Sequence, residues 1–106
     1  MRFITINNRA HAKLKLVWYD ILGDSTVGTD HEFEKMKCAR IITECYLYDM
    51  FESEGSEYVR TFASYQIEEE MGYGDRNVYP MEVFTIDSQR SIRNALKLMK
   101  RRSSQG

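Results

Sequence analysis

The chain has 106 residues, a mass of 12.5 kDa and a composition that is 42% hydrophobic, 29% charged and 12% aromatic. Those values fit one ordinary globular domain and exclude collagen-like, disulfide-scaffold and broadly disordered classes. The formal net charge of −1 argues at face value against a nucleic-acid or membrane coat, but that sum conceals a segregated layout.

In chain order, Phe3-Ile4-Thr5-Ile6 is β-rich and predicts a strand over 3–6, and Asn7 and Asn8 follow as turn or N-cap residues. Over 9–22, Ala10, Leu14, Val17, Trp18, Ile21 and Leu22 share one face of a helical wheel, and Gly23 stands where a helix C-cap belongs. Lys13-Leu14-Lys15-Leu16 also alternates as a strand would. The longer helical match makes a helix over 9–22 the expectation. Thr29 with Glu32 forms a T-x-x-E capping box, which predicts a helix over 30–40.

Residues 41–51 and 58–67 flank the turn Ser53-Glu54-Gly55-Ser56 and suit either a hairpin or two antiparallel helices. Gly72 to Asn77 reads as a loop. Met81 to Ile86 reads as a strand with Pro80 at its start. Asp87 or Ser88 caps a helix over 88–102, and 103–106 is a polar tail expected to be disordered. The expected fold is one α+β domain over 1–102 with a short, mainly antiparallel sheet.

The charge falls in three blocks: residues 1–19 carry +4, residues 20–87 carry −11 and residues 88–106 carry +6. In the last helix Ile92, Ala95, Leu96 and Met99 form one face. Arg90, Arg93, Lys97, Lys100 and Arg101 form the other. Such a face suits phosphate or an acidic partner, or complements the acids of the same chain. In the middle block Asp49, Glu52, Glu54 and Glu57 flank one turn, and Glu68, Glu69, Glu70 and Asp75 follow. Arrayed carboxylates can imitate a phosphate backbone and steer toward a basic groove. Tyr46, Tyr48, Tyr58, Tyr65 and Tyr73 lie in the same stretch, and tyrosine is a favoured interface residue.

Other chemistry is weakly represented. His11 and His31 are the two histidines, and no C-x-x-C or H-E-x-x-H motif occurs. No zinc site and no cofactor is therefore expected. Gly23 and Gly28 lack the ending of a phosphate loop. Carboxylates such as Asp24, Asp30 and Asp75 would suffice for magnesium, as in any acidic protein. Cys38 and Cys45 lie seven apart, about 10.5 Å along a helix, or on opposite faces of a strand. Both are expected as free, buried thiols. The longest apolar run, Leu14 to Leu22, is broken by Lys15 and Asp20. The N-terminus lacks a signal-peptide h-region, so an intracellular, cytoplasmic protein without membrane contact is expected.

In broad style the chain resembles small phage-encoded inhibitors, including anti-CRISPR proteins. The likeness is one of size and charge layout and carries no shared motif. Three functional readings follow. The first is an interaction protein acting by stoichiometric binding, an inhibitor or regulator of a nucleic-acid-handling complex, through the acidic, tyrosine-bearing surface of Asp49, Glu52, Glu54, Glu57, Glu68, Glu69, Glu70, Asp75 and Tyr73. The second is a nucleic-acid-binding module using the basic helix. The third is a small carboxylate-dependent enzyme. A monomer and a homodimer fit each of them.

Overall fold

In the computed structural model, which describes the backbone of residues 1–105 and the side chains of residues 1–103, the hydrophobic pattern resolves mainly into strands. β1 (Phe3–Ile6) and β2 (Arg9–Asp20) form an antiparallel hairpin. Its turn residues Asn7 and Asn8 have φ of 51° and 64°. Two successive positive φ angles define the tight turn whose twist matches paired strands, and asparagine tolerates them. This corrects the expected helix over 9–22: an Asn-Asn turn feeds a 12-residue strand. The wheel match counted Val17 and Trp18 together, whereas a strand sends them to opposite faces.

The loop after β2 carries the short helix α1 (Asp30–Glu34). The expected capping box is present, with Glu32 N–H donating to Thr29 Oγ1 at 3.2 Å and Thr29 N–H donating to Glu32 Oε1 at 3.3 Å. The helix stops at Lys35 instead of running to residue 40. None of its residues is buried, and a helix without a packed face lacks what sustains most helices in proteins. From Ala39 the chain joins the sheet as β3 (Ala39–Ser53), which pairs with β2 and, through the turn Glu54-Gly55, with β4 (Ser56–Phe62). The hairpin reading of 41–51 with 58–67 thus holds, with its second strand ending at Phe62. Glu54 and Gly55 again have positive φ, 51° and 81°.

β5 (Ser64–Gln66) and β6 (Gly72–Gly74) make a separate two-stranded ribbon where 72–77 reads as a loop. β7 (Asn77–Pro80) completes the main sheet, whose order is β1-β2-β3-β4-β7. The strand expected over 81–86 is absent: Pro80 closes β7, and Met81–Val83 is a 3₁₀ turn. A lone bridge from Phe84 to Trp18 follows. Thr85 then caps α2 (Ile86–Gln105). Its hydroxyl accepts from Ser88 N–H at 3.3 Å, so the cap is neither Asp87 nor Ser88. The helix continues through 103–105, where a disordered tail was expected. Residue 106 lies outside the described residues.

α2 runs back along one face of the sheet, pinned at both ends. Ser88 Oγ accepts from Val17 N–H at 2.8 Å, and Ser103 Oγ accepts from Ala10 N–H at 3.1 Å. Leu14, Leu16, Cys45, Leu47, Val59, Tyr79, Phe84, Ile92, Ala95 and Met99 form the core between helix and sheet. Full burial of a Leu or Ile contributes about 1.5–3 kcal/mol. The result is α+β: an antiparallel five-stranded sheet, a second small sheet and one long C-terminal helix. No helix among the described residues is long and apolar enough to cross a membrane.

Candidate docking surface

With α2 on one face, the alternation of the strands sends every second side chain to the other. The register assigns His11, Lys13, Lys15, Val17 and Tyr19 of β2 to this open face. Opposite them are Arg40, Ile42, Glu44 and Tyr46 of β3. Beyond an irregularity between Leu47 and Asp49 come Asp49, Phe51, Tyr58, Arg60 and Phe62. A bulge of this kind re-aims side chains.

The β5–β6 ribbon folds over part of this face and builds a second, aromatic core. His11 and Phe62 are 0% and 1% exposed. The His11 ring stacks on Tyr48 with centroids 5.6 Å apart and meets Phe62 and Tyr73 edge-on at 5.1 and 5.8 Å. Tyr46 stacks on Phe62 at 5.4 Å, and Tyr65 from β5 contacts Tyr46 at 6.2 Å. The ladder between β2 and β3 ends at Lys13–Tyr46. Just beyond, His11 Nδ1 donates to the Leu47 carbonyl at 2.9 Å. Nε2 has no hydrogen-bond partner among the described residues. Burial holds the imidazole below its usual pKa, opposed by the Leu47 contact, so the neutral ring with its proton on Nδ1 fits the site.

Cations rim this aromatic core. Asp49 takes a two-pronged contact from Arg60, Nε at 2.6 Å and Nη2 at 2.7 Å, the pairing geometry a planar guanidinium favours. That carboxylate holds the Arg60 pKa above its ordinary value. The Arg60 guanidinium lies 4.4 Å from the Phe51 ring centroid, and that of Arg9 lies 4.6 Å from Tyr48. Between β4 and the chain leading into β7 lies a cleft of about 550 Å³, lined by Tyr48, Arg60, Phe62, Tyr73, Arg76 and Asn77 among others. That volume is in the range that receives a small ligand or a cluster of partner side chains. Arg76 is exposed and has no partner among the described residues. The lining holds no carboxylate, imidazole or thiol among the described residues.

The expected acidic residues do not form one surface around the cleft: Glu52 and Glu57 are register partners beside the Glu54 turn, and Glu68, Glu69 and Glu70 follow β5. Asp49 is neutralised by Arg60 beside the cleft. Glu52 and Glu54 sit at the β3–β4 turn. Glu68, Glu69 and Glu70 are exposed between β5 and β6. Asp75 accepts from Ser64 Oγ at 2.7 Å. Glu57 turns toward α2, where Arg93 grips it at 2.7 and 3.2 Å and holds its pKa below the ordinary carboxylate value. Of the nine residues, Tyr73 alone lines the cleft. On α2, Arg90 meets Asp87 at 3.6 Å, and Lys97, Lys100 and Arg101 are exposed. Arg102, outside the predicted set, lies 4.0 Å from the Phe3 ring centroid.

Comparison with family models, with curated proteins and with solved structures finds no match to this chain. Among the described residues no three His, Cys, Asp or Glu side chains are grouped to hold a metal. Asp24 is engaged locally, accepting from Thr26 N–H at 2.9 Å and Thr26 Oγ1 at 2.7 Å. Cys45 is buried and its pKa is pushed up to about 11 by desolvation, whereas Cys38 is exposed, against the expectation that both are buried.

The cleft arginines escaped the reading of the sequence, although a trace of them was there. Arg60 and Arg76 are the two cations between Arg40 and Arg90, isolated within an acidic stretch. The β3–β4 register brings Arg60 beside the tyrosines, and the link between β6 and β7 brings Arg76 there.

Proposed function

We propose that this is an intracellular interaction protein that acts by stoichiometric binding, with the open face of the sheet as its docking surface. The observation that carries this is the cleft of tyrosine, phenylalanine and arginine beside the aromatic core. Tyr and Arg are the residue types that dominate binding energy at protein interfaces, and a concave, half-desolvated setting is where they act. The electrostatic sense is the reverse of a phosphate mimic: the cleft presents the exposed Arg76 guanidinium beside an Arg60 already paired with Asp49. It suits a partner segment bearing a carboxylate next to an apolar or aromatic side chain. Within a nucleic-acid-handling complex, the partner class expected from the sequence, such a cleft suits an acidic protein segment and not a phosphate-binding groove. Among the described residues the cleft lining holds no carboxylate, imidazole or thiol, which favours binding over catalysis.

Affinity capture from cell extract tests this with two variants. Arg76→Glu is expected to lose the retained partner. Reversal of Glu68, Glu69 and Glu70 to lysine is expected to keep it. The opposite pattern would return the binding role to the acidic ribbon.

A second reading keeps the nucleic-acid module. It is favoured by the exposed Lys97 and Arg101 on α2, which have no partner among the described residues. It expects binding to DNA or RNA that weakens steeply with salt. Absence of any mobility shift at low salt would remove it.

A further inference from the structure

Among the described residues, the first half of the central strand β3 is flanked by a strand on one side only. β3 pairs with β2 along 39–46, but β4 leaves the ladder at Phe62, opposite Tyr46. Ala63 N–H turns instead to the Gly74 carbonyl at 3.2 Å. In an antiparallel strand the N–H and C=O of one residue point the same way and alternate along the chain. Lys13 N–H bonds Arg2 O, Val17 N–H bonds Ser88 Oγ and Val17 O accepts from Thr85 N–H, so odd residues of β2 face away from β3. Their register partners Glu44, Ile42 and Arg40 therefore direct their backbone groups away from β2, into the gap that β4 leaves. No backbone partner for these three exists among the described residues. The outer edge of β2 is held by β1 as far as Lys13 and by Thr85 and Ser88 at Val17, whereas on β3 three successive outward-facing residues lack a backbone partner among the described residues, which makes this segment an open edge. Such an edge templates strand addition.

Its side chains say what would add. Arg40, Ile42 and Glu44 all lie on the open face, and Ile42 is 60% exposed. An antiparallel copy of the same edge, centred on Ile42, places Ile42 against Ile42 of the second copy. It also places Arg40 against Glu44 of the second copy, and Glu44 against its Arg40. The two-fold axis generates both ion pairs from one sequence, which is the self-complementarity an isologous interface requires. The residues that meet in this register are those whose backbone groups point outward, so ladder bonds and side-chain pairs are satisfied together. Directly opposed opposite charges stabilise cross-strand pairing, and like charges oppose it.

We infer that the protein forms a two-fold homodimer by antiparallel pairing of residues 40–44 of β3, joining two five-stranded sheets into one. The cleft near Arg60 and Arg76 uses other residues, so the dimer stands independently of the proposed function.

Sedimentation equilibrium across the micromolar range tests it. Wild type is expected to move from 12.5 kDa toward twice that mass. Arg40→Glu alone and Glu44→Arg alone each put like charges opposite one another. Each is expected to weaken the dimer roughly tenfold or more. The double exchange Arg40→Glu with Glu44→Arg is expected to restore it. Ile42→Pro removes an outward N–H that no strand uses and is expected to leave a folded monomer by circular dichroism. A monomeric wild type, or a dimer indifferent to the single reversals, overturns the inference. So does a double exchange that fails to recover what folded single variants lose.

Discussion

His11 shows how much of this molecule is decided at the residue scale. It sits between two alanines on β2, and its imidazole closes the place where the β2–β3 ladder ends. His11→Leu keeps approximate volume but leaves the Leu47 carbonyl without its donor. The expected cost is about 1–3 kcal/mol by denaturant unfolding at neutral pH. The pH dependence follows from the lowered pKa of the buried ring. The unfolded chain takes up the proton near 6.5, and the folded chain takes it up only at lower pH. Between those points the unfolded state binds more protons, so stability is full above about 6.5 and falls as pH drops through that window. Wild type should show this slope, and His11→Leu should lose it. An identical slope in both would place the titration elsewhere. Cysteine reactivity is a second residue-scale outcome. A thiol reagent should label Cys38 alone in the native protein and both Cys38 and Cys45 in denaturant, counted by mass spectrometry. Native labelling of both would contradict the burial of Cys45.

At the scale of elements, what was legible depended on whether local pattern and tertiary setting agreed. α2 was readable because its apolar face and flanking cations follow a helical period, and the sheet buries the face that Ile92, Ala95 and Met99 define. The strand 3–6 and the hairpin turn at Glu54-Gly55 were readable for similar reasons. β2 was not, because Leu14, Val17, Trp18 and Ile21 follow a helical period while Leu14, Leu16 and Trp18 alternate as a strand; the Asn7-Asn8 turn was the discriminating feature. α1 shows the converse, a correct cap on a helix that tertiary contact does not prolong. Two tests belong here. Ser88→Ala removes a buried hydroxyl that accepts from Val17 N–H and is expected to cost about 1–3 kcal/mol in thermal or denaturant unfolding. Glu54 occupies a left-handed conformation with φ of 51°. Glu54→Asn is expected to raise stability by roughly 0.5 kcal/mol, because asparagine tolerates that region better. A loss of stability there would show that the Glu54 side chain has an unrecognised role.

At the scale of the whole molecule, the near-neutral net charge resolves into cations on both faces of the sheet, with most of the carboxylates outside its strands. β3, about 50 Å long at strand rise, sets the long dimension of a body measuring 58 × 28 × 28 Å. The basic helix lies on one side of the sheet and meets the acidic block through Glu57 and Arg93. On the other side, Arg9, Lys13 and Lys15 from the basic N-terminal block join Arg40, Arg60 and Arg76 from the acidic one, against Glu44 and Asp49. Block sums along the sequence missed this because they add the carboxylates of turns and loops to strand cations that share the open face. The candidate acidic surface was drawn from such sums, and the fold does not gather it around the cleft. The open-face cleft has a physical basis that those sums lacked: aromatic residues from three strands converge on it with Arg60, paired to Asp49, and Arg76. Hydrogen exchange on the complex with its captured partner decides whether the open-face cleft is the docking site. Slowed exchange is expected in β4 and in residues 72–78, around Arg60, Tyr73 and Arg76. Protection confined to α2, with those segments exchanging as in the free protein, would contradict it.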